Sequence, residues 1–100
     1  MIARIWHGVT PAAKADDYYK MLQRTGLVDY RATPGNRGAY ALRRLNGDKA
    51  HFLMLTFWGS EKDIEAFAGS DVTKARYYPG DEDYLLELED RAQHYEVIEG

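Results

Sequence analysis

The sequence predicts an α+β domain in which four antiparallel strands and two helices follow one another in the order βαββαβ. Three observations support this order: a hairpin signal at 46–48, two segments with helical spacing, and β-forming segments near both ends of the chain. The order is that of the ferredoxin-like arrangement, with both helices on one face of the sheet. A chain of 100 residues has the length of one domain, so residues 1–100 are expected to form a single unit.

The first half of the chain predicts one strand and one helix. Residues 2–9 are rich in β-forming side chains and predict the first strand. Thr10 and Pro11 are typical of a helix start, and the helix is expected to reach about Thr25, where Gly26 would stop it. A connection over 27–37 follows.

The second half predicts a hairpin, a helix and a last strand. The hairpin strands are expected over 38–45 and 50–58, joined by Asn46-Gly47-Asp48. Ser60-Glu61-Lys62-Asp63 resembles a capping box, so a second helix is expected from there to Gly69. A short helical turn is expected near 71–78 and a last strand over 92–98. Residues 81–90 fit either a helical turn or an extended arm, and both are kept open.

Composition narrows the class of protein. Hydrophobic residues make up 45% of the chain and charged residues 29%, which is typical of a soluble globular domain. No apolar run approaches the roughly 18 residues of a membrane span, and the N-terminus lacks the features of a signal peptide. There are no cysteines, so disulfides and thiolate metal sites are excluded. We therefore expect a cytoplasmic protein without a membrane partner.

The charged and metal-ligating residues are dispersed. The formal net charge is -3, and no basic face is concentrated enough to predict a nucleic-acid partner. The three histidines (His7, His51 and His94) are not spaced as metal ligands usually are. No nucleotide-binding glycine motif occurs. The residues themselves therefore predict neither a metal nor a cofactor.

The third predicted strand indicates a homodimer. Its sequence over 52–58 is apolar on both sides, whereas a strand covered on one face only should alternate. The helices can cover one face of the sheet. A second copy of the chain is the simplest cover for the other face, because burial of apolar surface stabilises at about 25 cal/mol per Å². Phe67 and Leu55 are both expected to be buried.

Several stretches resemble the antibiotic-biosynthesis-monooxygenase-like family of dimeric α/β-barrel proteins. They are the segment 55–61, the turn 34–38, Phe67, the segment 70–72 and the pair Lys74-Ala75. The resemblance covers nearly the whole chain in element order. It implies a sheet-to-sheet dimer with a ligand pocket between the sheet and the helices of each subunit. Some members oxygenate aromatic polyketides without metal or flavin, and others bind and degrade haem.

The haem-degrading branch of the family can be compared residue by residue. Its members use an asparagine on the first strand, a tryptophan on the second helix and a histidine just beyond it. Trp58 is common to this sequence and the family. Counting from it, the three positions hold His7, Phe67 and Tyr77 here. None matches, and the resemblance to this branch is weakened most at Tyr77, where a neutral phenol would be a poor ligand for iron.

The resemblance places His7 where the family addresses its ligand, and Tyr77 after the second helix. Histidine titrates near neutral pH, so an imidazole there could take a phenolic or enolic proton as a general base, with Tyr77 as its polar partner. This requires Ile5, His7 and Val9 to face the helices and Trp6 to face the other way, because alternate strand residues point to opposite faces. A strand histidine bonded to a neighbour is the structural alternative.

Trp58, Phe67 and Tyr78 are the candidate substrate-binding residues. The two large rings could stack against a flat ligand, or they could be core residues. Three functions therefore stay open. The first is a cofactor-independent monooxygenase acting on an aromatic or polyketide-like small molecule. The others are a haem or tetrapyrrole binder and a non-catalytic dimeric small-molecule-binding protein.

Overall fold

The computed structural model describes all 100 residues of the chain. Two one-turn 3-10 helices occur, at Ala12–Lys14 and Asp81–Asp83. The remaining elements, in chain order, are β1 (Ile2–Pro11), α1 (Ala15–Arg24), α2 (Gly26–Ala32), β2 (Asn36–Asn46), β3 (Lys49–Trp58), α3 (Glu61–Ala68) and β4 (Gln93–Glu96).

The strands form one sheet in the order β2-β3-β1-β4, and every neighbouring pair is antiparallel. This is the strand order of the ferredoxin-like arrangement, so the predicted fold class is confirmed. The two long central strands, β1 and β3, pair along their whole length, from Ile2 with Trp58 to Pro11 with Lys49. Their side chains form the middle of both faces of the sheet.

The hairpin and the last helix form as the sequence predicts. Asn46 pairs with Lys49, and the turn between them places Gly47 at a φ of 62°, which a glycine adopts without strain. At α3, the Ser60 hydroxyl accepts a hydrogen bond from the backbone N–H of Asp63, and Gly69 ends the helix with a φ of 90°. Both signals depend only on local backbone chemistry.

The predicted first helix differs in two ways. Thr10 and Pro11 belong to β1, so Thr10 caps nothing, and α1 begins only at Ala15. Gly26 does not stop the chain: the helix breaks at Thr25 (ψ of −91°) and continues at once as α2, where a connection was expected. α2 forms because Leu27 and Tyr30 become buried against the sheet. That gain depends on tertiary packing and has no local sequence signal.

The predicted helical turn over 71–78 is wrong. Lys74 instead forms an antiparallel bridge with Arg91, and Ala75 donates to the carbonyl of Asp90 at 2.8 Å. The sequence left residues 81–90 open between a helical turn and an extended arm. Asp81–Asp83 form a 3-10 turn, and an extended arm over 84–92 follows it. It runs beside the edge of β1 beyond β4, where Leu86 donates to the carbonyl of Val9.

The two faces of the sheet are unequal. The helix-covered face carries the core, with Trp6 from β1 and, from β3, the side chains of Phe52, Met54 and Trp58. The other face, called the open face below, carries half-exposed or exposed residues from all four strands: Ile5, His7, Val9, Tyr40, Leu42, Arg44, His51, Leu53, Leu55, Phe57, Gln93 and Tyr95.

The predicted facing of β1 is wrong. Trp6 is buried under the helices at 4% exposure, while Ile5, His7 and Val9 lie on the open face. The alternation of side chains along β1 was predicted correctly, but the side that faces the helices was not. The pattern is misleading because Arg4, a charged residue, lies on the same side as Trp6. Arg4 is nevertheless buried: its guanidinium donates to the carbonyl of Lys74 at 3.1 Å and lies 5.5 Å from the ring centre of Phe67.

Candidate functional site

Trp58 and Phe67 are core residues. Trp58 is fully buried and donates from its indole N–H to the hydroxyl of Thr56 at 2.9 Å. Phe67 is 5% exposed, and its ring stacks on that of Tyr30 with centroids 4.3 Å apart. Their rings lie against each other at 6.1 Å. Both predicted substrate-binding rings therefore contact protein on their faces, and they wall no open cavity.

Tyr78 is also engaged within the protein. Its hydroxyl donates to the carboxylate of Asp29 at 2.7 Å, and the guanidinium of Arg76 lies over its ring. Burial, followed by the carboxylate contact, raises the pKa of Tyr78, so the phenol stays protonated at neutral pH. The residue ties the segment after α3 to α2.

The space between sheet and helices is almost completely filled. The cavity that remains there measures about 10 Å³, which leaves room for about one water molecule at most. It is lined by residues of β1, β3, α1, α2 and the segment after α3, including Trp6, Tyr30, Arg76 and Tyr78. In the structure this region has no room for an aromatic ligand.

Tyr77 packs against Trp6 but does not line this cavity. Its ring meets the indole edge-on at 6.1 Å, and its hydroxyl donates to the backbone carbonyl of Glu89 at 2.5 Å. Burial raises the pKa of Tyr77, which disfavours the phenolate. Ferric haem needs a tyrosinate from such a ligand, and the filled interior has no space for the macrocycle. These residues do not fit a bound haem.

His7 lies on the open face, so the predicted placement of a general base, facing the helices in one cavity with Tyr77, is wrong. Its Nδ1 hydrogen-bonds the carboxylate of Glu89, and its Nε2 lies 3.0 Å from Nδ1 of His51. The His7 and Glu89 side chains are 34% and 36% exposed, so solvent reaches the pair. Glu89 connects both candidate catalytic residues: its carboxylate meets His7, and its carbonyl meets Tyr77.

The carboxylate fixes the protonation pattern of the histidine pair. An ionised carboxylate only accepts hydrogen bonds, so Nδ1 of His7 carries the hydrogen that Glu89 accepts. In a neutral His7 the Nε2 atom is then an acceptor, and Nδ1 of His51 must donate to it. The remaining nitrogen, Nε2 of a neutral His51, carries a lone pair. The chain Glu89–His7–His51 thus ends in a basic atom.

A groove of about 380 Å³ lies above this pair on the open face, near the β2–β3 hairpin. Its lining residues are His7, Leu42, Arg43, Arg44, Asn46, His51 and Leu53. The guanidinium of Arg43 is paired with Asp16 of α1 at 2.8 Å. Arg44 stands opposite His51 in the strand register, is exposed and forms no ion pair. The groove therefore combines a base, a free cation and two leucines.

Of the hydrogen-bonded chain Glu89–His7–His51, sequence reasoning missed Glu89 and His51, and it also missed Arg44 and the two leucines of the groove. Glu89 lies 82 residues from His7 in an arm whose course carries no periodic signal. His51 could have been found once the strand pairing was known, because Val9 pairs with His51 and places it diagonally beside His7. No group of three or more potential ligands is arranged to hold a metal ion.

The strand order and the groove together define this protein as a small ferredoxin-like domain with a histidine-containing groove on its open face. Solved structures share the fold across the whole chain. A Nitrosomonas europaea protein provisionally named an antibiotic biosynthesis monooxygenase matches with a TM-score of 0.70 and 17% identity, over 99% of this chain and 100% of that chain. The predicted resemblance in fold to that family is confirmed.

Two further matches are structures of the haem degrader MhuD. The Mycobacterium tuberculosis protein with two haems in its active site aligns with a TM-score of 0.66 and 19% identity, over 100% of this chain and 98% of that chain. A mutant with two manganese protoporphyrin IX molecules per active site aligns with a TM-score of 0.63 and 18% identity, over 100% of this chain and 97% of that chain.

No family model matches the sequence. No curated protein matches it either. No helix of the structure is long and apolar enough to cross a membrane.

Proposed function

We propose that this protein is a homodimeric oxygenase that acts on an aromatic or polyketide-like small molecule without a bound cofactor. The observation that carries the proposal is the hydrogen-bonded chain Glu89–His7–His51 at the floor of the open-face groove. A carboxylate that orients an imidazole and stabilises its protonated form is a common construction of a general base. The fold shared with the Nitrosomonas europaea protein supports the reaction class.

In the proposed reaction, the base is the hydrogen-bonded chain Glu89–His7–His51 on the open face, in place of the helix-facing His7 that the sequence predicted. Removal of a proton from a phenolic or enolic substrate leaves an electron-rich anion that can transfer an electron to O2. One oxygen atom then enters the substrate and the other leaves in water. Tyr77 has a positioning role, because its hydroxyl holds the backbone carbonyl of Glu89 from the opposite face of the sheet.

The dimer would form through the open face. The end of this face away from the hairpin is apolar: Leu55 and Phe57 are half-exposed there, and Tyr40 is 57% exposed. The histidine groove occupies the hairpin end. A second copy packed on the apolar end would remove these rings from water and border the groove. We also propose a cytoplasmic location.

Haem binding, suggested by the matches to MhuD, is the alternative. It would require the interior around Trp6, Tyr30 and Tyr78 to open, and it would use a Tyr77 whose phenol is held protonated. Titration with hemin tests whether the protein binds haem. A stoichiometric shift of the Soret band that is lost in Tyr77→Phe would favour haem binding over the oxygenase.

Anthrone is a suitable probe for the proposed reaction. Its methylene carbon is acidic because its anion is an aromatic phenolate, and its oxidation is balanced: anthrone and O2 give anthraquinone and water. The methylene carbon loses two C–H bonds and gains one C=O bond, and the O–O bond breaks. Oxygen uptake at neutral pH, compared with buffer alone, measures the reaction.

His7→Ala tests the base. We expect the rate of anthrone oxidation to fall about 10²–10⁴-fold, which is the usual contribution of a positioned base. Phe67→Leu is the matched control, since it changes a core residue on the covered face. Absence of protein-dependent oxygen uptake with anthrone and with hydroxylated anthrones would refute the oxygenase.

A further inference from the structure

We infer that the open-face groove is the substrate site, that Nε2 of His51 is the atom that takes the proton, and that Arg44 binds the oxyanion formed. The substrate class that follows is a planar aromatic compound with an acidic hydroxyl or enol group. This inference rests on the proposed function and deepens it, because it assigns the site and the ligand chemistry that the fold leaves open.

The histidine pair leaves one nitrogen, Nε2 of His51, without a hydrogen-bond partner in the protein. With His7 held by Glu89, both hydrogen-bonding nitrogens of His7 are occupied inside the chain. Only Nε2 of His51 has no protein partner, and His51 lines the groove. A substrate in the groove therefore meets His51 first. His7 can receive a proton only through it.

The proton transfer follows from the same hydrogen bonds. The substrate O–H bond breaks as its proton bonds to Nε2 of His51. The hydrogen on Nδ1 of His51 passes to Nε2 of His7 over the 3.0 Å contact. His51 is then neutral again, and His7 is an imidazolium ion beside the Glu89 carboxylate. The substrate keeps the electron pair as an oxyanion, and one positive charge rests on His7.

Arg44 supplies the charge that the oxyanion needs. It pairs with His51 across the β2–β3 register on the same face, and no carboxylate neutralises it. Arg43, by contrast, is neutralised by Asp16. Leu42 and Leu53 provide apolar contact for an aromatic ring. An arginine hydrogen bond to an oxyanion is charge-assisted, so it favours the ionised ligand over the neutral one.

4-Nitrophenol tests the site without any oxidation. Its phenolate absorbs in the visible range, so a titration under anaerobic conditions reports both binding and ionisation. We expect bound 4-nitrophenol to be ionised at a lower pH than in buffer. The charged groups that surround the bound hydroxyl are His51, His7, Glu89 and Arg44, with Arg43 on the rim, and the shift is their combined effect.

Two variants assign the shift to individual residues. His51→Gln keeps a polar side chain that cannot take a proton, and Arg44→Gln removes the exposed cation with no loss of packing. We expect each to weaken binding of 4-nitrophenolate about 10-fold or more, as loss of a hydrogen bond to a charged group does. Arg31→Gln, an exposed arginine of α2 outside the groove, is the control and should bind as the unaltered protein does.

The outcomes separate this inference from the proposed function. Equal affinity for 4-nitrophenolate in His51→Gln, Arg44→Gln and the unaltered protein would overturn the inference. Anthrone oxidation at an undiminished rate in His51→Gln would also overturn it, while leaving the oxygenase in place. Binding and ionisation of 4-nitrophenol as expected, without any anthrone oxidation, would support the site and refute the oxygenase.

Discussion

Nε2 of His7 lies 3.0 Å from Nδ1 of His51, and the two imidazole planes are only 17° apart with centroids separated by 5.3 Å. The rings come from neighbouring antiparallel strands, where Val9 pairs with His51. This diagonal placement lets the rings lie nearly parallel and joins them by one hydrogen bond. The Glu89 carboxylate at the other end then fixes which nitrogen of each ring carries a hydrogen.

The first prediction concerns these tautomers. In the neutral protein, both rings should carry hydrogen on Nδ1, since Glu89 accepts from His7 and His7 accepts from His51. Long-range ¹H–¹⁵N correlation spectra identify the protonated nitrogen of each ring. Glu89→Ala should release His7 from this arrangement and change its spectrum. Nε2-protonated rings for both histidines in the unaltered protein would contradict the hydrogen-bonded chain.

The second prediction concerns the core. Phe67→Ala should lower the free energy of unfolding by about 3–5 kcal/mol, because it leaves a cavity next to Trp58 and removes the ring below two guanidinium groups. Urea unfolding measures the loss. Leu45→Ala, at a position 61% exposed, is the control and should change the free energy by less than about 0.5 kcal/mol. Equal effects of the two substitutions would show that Phe67 is not packed as described.

The third prediction is a pH dependence set by Asp81. Its carboxylate accepts from the N–H of Tyr78 at 2.6 Å and from the hydroxyl of Tyr18 at 3.2 Å, and burial raises its pKa. The folded state therefore holds this proton to a higher pH than the unfolded state, whose aspartates titrate near about 3.9. Hence the contribution of Asp81 to stability is full below that pH and is lost as pH rises through the raised pKa.

Two substitutions of Asp81 separate charge from hydrogen bonding. Asp81→Asn can keep both bonds, since its carbonyl accepts from Tyr78 and its amide donates to the Tyr18 oxygen, so its stability should fall less as pH rises above 4. Asp81→Ala leaves the Tyr78 N–H unpaired and should cost about 1–3 kcal/mol. Urea midpoints measured between pH 4 and 8 compare the three proteins. Parallel curves for the unaltered protein and Asp81→Asn would exclude Asp81 as the titrating group.

The fourth prediction concerns the arm that carries Glu89. Hydrogen bonds from Arg91 and then Thr73 lower the pKa of Asp71 to about 2. This contact joins the segment after α3 to the arm. In Arg91→Gln the pKa of Asp71 should rise toward its ordinary value of about 3.9, as measured by NMR titration. The stabilising contact is present above that ordinary value and is lost as pH falls through about 2. An unchanged pKa in Arg91→Gln would mean that the two side chains do not meet in solution.

The fifth prediction concerns the oligomeric state. The protein should sediment as a dimer at micromolar concentration, with an interface above roughly 1,000 Å² through the apolar end of the open face. Leu55→Asp places a charge on that end and should shift the protein to a monomer that retains its circular dichroism spectrum. Leu45→Asp lies outside the open face and should remain dimeric. A monomeric unaltered protein would refute the proposed interface.

The elements with strong local signals were predictable. The hairpin turn at Gly47 and the cap at Ser60 depend on short-range backbone chemistry, which the sequence displays directly. The break at Thr25 and the helix that follows it were not predictable, because α2 is stabilised by burial of Leu27 and Tyr30 against strands distant in the chain. The failed helical turn over 71–78 has the same origin, since Lys74 bridges to Arg91.

The sequence by itself determined the fold class, the strand alternation of β1 and the two-sided apolar character of β3. Only the tertiary structure decided which side of β1 is covered, because alternation defines two sets of residues without saying which set meets the helices. The buried set includes Arg4, whose charge is accommodated by a carbonyl and an aromatic ring from other elements. Because Trp6 takes the covered side, His7 lies on the open face, where it contacts His51 and Glu89. No spacing in the sequence relates these three residues.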